Sequence, residues 1–209
     1  MDGEIRFAAV VVAAGRGARF GSPKHDVDIE GLPMWEHSVH TLRAAGADPV
    51  VVVGDVPGGV EGGERRRDSV ANGLEHVTES DWVLIHDAAR PAVSPDLVRR
   101  IMDTARSTTA DGIVPGIAVT DTIKRVDGVR VVETPDRSSL RAVQTPQAFR
   151  TSVLARAHAA DDADATDDAA LVERIGGTVE IVEGDPDNIK VTYREDLDQV
   201  RRVIEGRRS

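Results

Sequence analysis

Cysteine is missing altogether from the 209 residues. Disulfides, thiolate metal sites and cysteine nucleophiles are therefore excluded, and the composition fits a reducing compartment. Aromatic residues are scarce, with three Phe, two Trp and one Tyr, so a core has to rest on Val, Leu, Ile and Ala. Basic charge is in deficit: 26 Lys and Arg against 36 Asp and Glu leave a formal net charge of −10. So acidic a chain is a poor candidate for wrapping duplex nucleic acid, yet a few well-placed Lys and Arg still make a local site for a small phosphorylated substrate. Long apolar runs are lacking too. The longest, residues 7–14, falls far short of the ~20 residues of a membrane span. The first residues, Met1-Asp2-Gly3-Glu4, are acidic where a secretion signal is basic, which sets the expectation of a soluble, cytoplasmic protein. The length suits one domain over residues 1–209, with no internal repeat and no separating linker.

What is present is an alternation of strand and helix patterns. Residues 6–13 form a continuous Val-rich run stopped by Ala14-Gly15, which reads as a strand buried on both faces. Val50-Val51-Val52-Val53 before Gly54, Trp82-Val83-Leu84-Ile85 before His86-Asp87, and Gly112-Ile113-Val114-Pro115 repeat the pattern. Between them, Trp35, Val39 and Leu42 recur at helical spacing with Gly46 as a C-terminal stop. A short helix is expected over residues 69–74. Another opens at Ser94-Pro95 with Leu97, Val98, Ile101 and Met102 on one face. Such an α/β order predicts a mostly parallel sheet, whose ligands sit beyond the carboxyl ends of strands, here at Ala13-Ala14-Gly15, Gly54 and His86-Asp87. Residues 117–133 break the rhythm: Asp127-Gly128 between two alternating runs predicts a hairpin that projects as an arm. The Asp-rich stretch 161–168 reads as a surface loop in its first half, Val179-Glu180-Ile181-Val182 as a strand, and residues 195–205 as the last helix.

Four constellations carry chemistry. Gly15-Arg16-Gly17-Ala18-Arg19-Phe20-Gly21 with Ser22-Pro23-Lys24 lacks the spacing of a P-loop, and Phe20 stands where a dinucleotide fingerprint has its third Gly. A glycine loop carrying Arg16, Arg19 and Lys24 remains. It suits a polyphosphate and, taken alone, equally suits a plain turn with surface cations. Gly62-Gly63-Glu64-Arg65-Arg66-Arg67-Asp68-Ser69-Val70 offers bare backbone for the edge of a base. Its arginines read alone as a solvated face and Ser69 as a helix N-cap. His86-Asp87-Ala88-Ala89-Arg90-Pro91 places a carboxylate at a strand end, where it holds Mg²⁺ or a sugar hydroxyl, or pairs with an arginine; His86 reads as structural. The last group is dispersed over Thr120-Asp121-Thr122-Ile123-Lys124, Gln144-Thr145-Pro146-Gln147, Thr166-Asp167-Asp168 and Asn188-Ile189-Lys190-Val191-Thr192. Hydroxyls, carboxylates and a Lys suit a polyol phosphate, although caps and turns account for most of them singly.

In series and in this order, these motifs resemble the 2-C-methyl-D-erythritol 4-phosphate cytidylyltransferases of the non-mevalonate isoprenoid pathway. The likeness spans nearly the whole chain. It implies a Rossmann-like nucleotidyltransferase fold with a projecting β-arm, residues 117–141, that makes a homodimer. It also implies the Mg²⁺-dependent conversion of CTP and methylerythritol phosphate to CDP-methylerythritol and pyrophosphate. By family position, Arg19, Lys24 and Lys190 act on the phosphates. Ala13, Ala14, Gly15, Gly17, Gly63, Glu64 and Ser69 cradle the cytidine, and Asp87 meets the sugar or the metal. Arg90, Thr122, Thr145, Thr166 and Lys190 hold methylerythritol phosphate, with Arg137 reaching in from the partner's arm. Eight cations (Arg16, Arg19, Lys24, Arg66, Arg90, Lys124, Arg137 and Lys190) are expected to converge on the site or its rim. The sequence departs from the family at His25-Asp26-Val27 and Asp28, which set acidic residues beside Lys24. It departs again at Glu64, where Asp is common, and at Pro135, before the retained Asp136-Arg137.

Two other functions fit parts of this pattern. A ribitol-5-phosphate cytidylyltransferase differs in the polyol enclosed, and Ala88-Ala89-Arg90 favours methylerythritol. A non-catalytic nucleotide-binding regulator would have no need to keep Arg19, Lys24, Asp87 and Lys190 together.

Overall fold

The computed structural model describes residues 4–15, 20, 26–160 and 163–208. The chain opens with β1 (Phe7–Val12), a small hairpin of β2 (Asp28–Ile29) and β3 (Leu32–Pro33), helix α1 (Met34–Ala44) and β4 (Val50–Val53). Helix α2 (Arg66–Leu74), β5 (Trp82–Asp87), α3 (Pro95–Ser107) and β6 (Gly112–Ala118) complete the alternating half. Then come the hairpin β7 (Arg125–Asp127) and β8 (Arg130–Glu133), followed by β9 (Arg141–Val143), β10 (Gln147–Arg150), α4 (Thr151–Ala160), α5 (Asp168–Arg174), β11 (Val179–Glu183) and α6 (Asp196–Arg208).

The main sheet has the order β11-β6-β10-β5-β1-β4, with β9 also pairing with β6. β4, β1 and β5 run parallel, as do β6 and β11. β10 lies antiparallel between β5 and β6, and β9 is antiparallel too. The mostly parallel α/β expectation therefore holds, with β10 as the inserted reversal.

The period of two along β1 divides the core. Phe7, Ala9 and Val11 pack with Trp82, Leu84, Val39, Leu42, Leu97 and Ile101 under α1 and α3. Ala8 and Val10 pack with Val83, Ile85, Val70, Phe149 and Leu154 under α2 and α4. Side chains that alternate between two apolar layers explain why the strand shows no polar alternation. A third cluster gathers Phe20, Ile29, Met34, Ala92 and Val191 with Leu197, Val200 and Ile204 of α6.

Local signals account for the helix ends. Ser94 Oγ accepts from Leu97 N (3.2 Å) with Pro95 in the first turn of α3, and Gly46 takes φ +101° just past α1. Ser69, however, is no N-cap. It lies inside α2, which starts three residues earlier; Arg65 is the cap residue, and its backbone N–H and guanidinium both bond Asp68. The arm is confirmed as a separate two-stranded sheet with every strand residue exposed. Its turn sits one residue later than expected, at Gly128-Val129, because Asp127 pairs with Arg130.

Candidate active site

A cleft of about 620 Å³ opens at the carboxyl ends of β1 and β5. Val12, Ala13, Ala14 and Gly15 come from the end of β1, and Asp87, Ala88 and Ala89 from the end of β5. Gly63, Glu64, Arg65, Arg66 and Ser69 come from the turn into α2, Met34 from α1, and Lys190 from the segment before α6. Parallel strands that stop side by side leave their last backbone groups facing one hollow. Gly54 does not line it, since the chain runs on past the end of β4 and the wall is built by Gly63 instead.

One side of the hollow is narrow and apolar. A Cβ on Gly62 would stand 2.5 Å from the Cβ of Ala14, and one on Gly63 would stand 2.3 Å from the Cβ of Asp68. Glycine is therefore required for the backbone of this turn to come so close to its neighbours. Ser69 Oγ accepts from Gly63 N (3.0 Å) and donates to Arg65 O (3.3 Å). It holds the shape of the turn rather than pointing a nucleophile into the cleft.

The other side is a chain of alternating charges. Lys190 Nζ meets Asp87 Oδ2 at 2.6 Å, and Arg66 Nε meets Asp87 Oδ1 at 3.1 Å. Arg66 Nη1 then reaches Asp168 Oδ2 at 2.7 Å, and His158 Nε2 meets Asp168 Oδ1 at 3.1 Å. Burial alone would raise Asp87, but the two cations outweigh it and hold the carboxyl well below the usual range. Asp168 is lowered against its own burial by Arg66 and His158. Burial works against the Arg66 cation, and the two carboxylates more than restore it, raising its pKa.

Beneath this layer His86 is fully buried. Its Nδ1 lies 3.2 Å from Thr145 Oγ1 and its Nε2 lies 3.2 Å from both Ser38 Oγ and Arg90 O. Burial lowers its pKa to about 4, so the ring is neutral and serves the structure, as expected. Thr145 Oγ1 also accepts from Asp87 N at 3.0 Å, which fixes the strand end that carries the carboxylate.

The expected site residues fare unevenly. Ala13, Ala14, Gly15, Gly63, Glu64, Ser69, Asp87 and Lys190 meet at the cleft. Arg16, Gly17, Arg19 and Lys24 lie outside the described residues. Thr145 is buried behind Asp87, and Arg90 donates to Asn188 O at 2.7 Å. Thr122 and Arg137 are exposed on the arm segment, with Arg137 donating to Thr120 O, and do not line the cleft. Lys124 likewise bonds Thr134 on the arm. Among the described residues the convergence of cations is thus narrower than expected: the cleft shows Arg65, Arg66 and Lys190 against Glu64 and Asp87. Asp28 caps Gly31 N in the β2–β3 hairpin instead of facing the cleft. Nor are the three consecutive arginines a solvated face. Arg65 pairs with Asp68, Arg66 with two buried carboxylates, and Arg67 is itself buried, bonding the carbonyls of His158 and Ala163. Met34 is an unforeseen part of the wall; its position at the start of α1 carries no sequence signal for a ligand.

The arrangement offers a narrow apolar slot with open backbone groups, adjoining cations and one firmly ionised carboxylate. It suits a nucleotide whose phosphates are turned toward Lys190. Comparison with known proteins decides the family: residues 7–205 match the model described as 2-C-methyl-D-erythritol 4-phosphate cytidylyltransferase. The chain belongs to this family. A cytidylyltransferase of that name from Rhodococcus jostii is 43% identical over 98% of this chain and 97% of its own length. One from Nocardia farcinica is 42% identical over 99% and 96%. The crystal structure of the Thermus thermophilus cytidylyltransferase superposes with a TM-score of 0.79 at 33% identity, covering 94% of this chain and 98% of that one. Family membership favours methylerythritol phosphate over the ribitol phosphate and regulator alternatives.

Proposed function

We propose that this cytidylyltransferase joins CTP to 2-C-methyl-D-erythritol 4-phosphate, and that residues 1–209 work as one nucleotidyltransferase domain with residues 117–141 as its dimer arm. The observation that carries the reading is the cleft that unites the Gly63 turn, Asp87 and Lys190. Cytidine occupies the slot between Ala13, Ala14, Gly15 and Gly63. An oxygen of the sugar phosphate attacks the α-phosphorus of CTP, forming the new P–O bond as the bond to the β-phosphate oxygen breaks and pyrophosphate leaves. The attacking phosphate is already anionic, so a general base is not required. The protein's task is to place two anions together and stabilise charge on the α-phosphate oxygens. Lys190 has that role here; Arg19 and Lys24 are assigned to it by resemblance. Arg90, Thr122, Thr145 and Thr166 are assigned to the sugar phosphate, with Arg137 across the dimer.

The donor set fits Mg²⁺ of the kind carried on nucleotide phosphates. Asp87 is a single ionised carboxylate at the phosphate side, and among the described residues three His, Asp or Glu do not gather into an all-protein metal cage. Asp87 would hold the ion, which would offset repulsion between phosphates. The arm's exposed Ile123, Val126, Val129, Val131 and Val132 support the homodimer, since a valine-rich hairpin standing free in water is an interaction surface. Incubation with CTP, methylerythritol phosphate and Mg²⁺ is expected to yield CDP-methylerythritol and one equivalent of pyrophosphate, both abolished by a chelator. Faster turnover of ribitol 5-phosphate would overturn the choice of polyol.

A further inference from the structure

We propose that Arg67 is a positioning residue for the sugar phosphate, acting through Thr166; this rests on the assignment of Thr166 to that substrate. Residues 163–168 form an arch with Thr166 exposed in its middle. The far end of the arch is anchored at the site. Gln147 Nε2 donates to Asp167 Oδ2 at 2.9 Å, and Asp168 is held by Arg66, which also holds Asp87. The near end depends on arginine forks. Arg174 donates to the carbonyls of Ala163 and Asp164 at 3.3 and 2.7 Å. Arg67 donates one Nη to the carbonyl of Ala163 and the other, at 2.9 Å, to that of His158 near the end of α4.

Arg67 differs from Arg174 in its setting. It is buried, and it belongs to α2, whose first turn forms the nucleotide side of the cleft, ninety-six residues away in sequence from Ala163. A planar fork that grips two carbonyls at once fixes the direction as well as the distance of the segment it holds. Without that grip, the arch keeps its far anchor and the Arg174 bonds, but its near end loses its tie to α2 and samples more positions, which the sugar phosphate has to order on binding. The loss therefore falls on the affinity for one substrate. CTP, bound against the Gly63 turn, is spared.

Steady-state kinetics of Arg67→Ala, Thr166→Val and the double variant test this. Arg67→Ala is expected to raise KM for methylerythritol phosphate about ten-fold, the scale of one charge-assisted hydrogen bond, with kcat and the KM for CTP changed less than about two-fold. Thr166→Val raises the same KM, and the double variant is no worse than Thr166→Val alone, because the two act on one contact. Multiplying effects in the double variant, or equal rises in both KM values, would show that Arg67 does not act through Thr166. An unchanged KM in Thr166→Val, with Arg67→Ala impaired, would instead remove Thr166 from the substrate site and the inference with it. Should Arg67→Ala not fold, Arg67→Gln keeps a single amide donor, and the same selective rise is required of it.

Discussion

Asp87 shows how far a single residue was legible. Its place at a strand's carboxyl end marked it, and the choice between ligand and ion-pair partner was visible in the sequence. Its actual partners were not. Arg66 lies twenty-one positions before it and Lys190 one hundred and three after it, a pairing that only the crossing of strands creates, whereas the adjacent Arg90 turns away to Asn188. Beside it, His86 carries a consequence for pH. Burial holds it near 4 in the folded protein against 6.5 in the unfolded chain, so between those values the unfolded chain binds the extra proton. Its contribution is complete above pH 6.5 and lost as pH falls toward 4, roughly 3 kcal/mol in all. Asp87 and Asp168 are also depressed, but carboxylates with lowered pKa lose their contribution only below about pH 4. Urea unfolding at pH 7 and pH 5, compared between wild type and a His86 variant, isolates this imidazole from the other histidines. Wild type should be less stable at pH 5, and His86→Gln should show a smaller difference between the two.

At the scale of elements, what the sequence declared were the buried strands and the helices with caps. β1, β4 and β5 are continuous apolar runs, and α3 has both its Ser-Pro start and its apolar face. β10 was hidden because it has four residues, Gln147–Arg150, and follows a motif read for chemistry. Helix α4 carries Val153, Leu154 and Ala157 at helical spacing, a signal that is legible in the sequence. The error at Ser69 has a physical cause. A Ser before an apolar residue looks like a cap, but the acid of Asp68 folds back onto Arg65 and starts the helix a turn earlier. The arm allows a prediction of its own. Val126 and Val131 face each other across its two strands, both more than half exposed. Replacing both by Asp puts two charges into the proposed interface and should raise the dimer dissociation constant roughly a hundred-fold or more. Sedimentation velocity should show monomers, with the far-UV spectrum of the core preserved. An unchanged dimer would remove the arm from the interface.

For the whole molecule, the deficit of positive charge is a coarse guide to where its cations lie. Among the described residues, Arg66 and Lys190 share Asp87 and Arg66 also holds Asp168, while Lys124 and Arg137 bond within the arm segment. The single-domain reading is testable at this scale. One sheet carries both main apolar clusters, with Trp82 buried in the centre of one and Trp35 packed at its margin. Thermal unfolding followed by tryptophan fluorescence and by helical circular dichroism should give coincident midpoints at a fixed protein concentration. Midpoints that separate would divide the chain into units that melt independently.

Both oxygens of Asp87 are engaged by cations of the cleft wall. The carboxylate is in this sense a tenant in the seat of a phosphate. Any incoming anion has to draw Lys190 away from a partner 2.6 Å distant. A nucleotide triphosphate meeting a second phosphate brings several charges to that exchange at once. A molecule with ten surplus negative charges thereby holds Arg66 and Lys190 on its own carboxylate, a placeholder that a polyphosphate can replace.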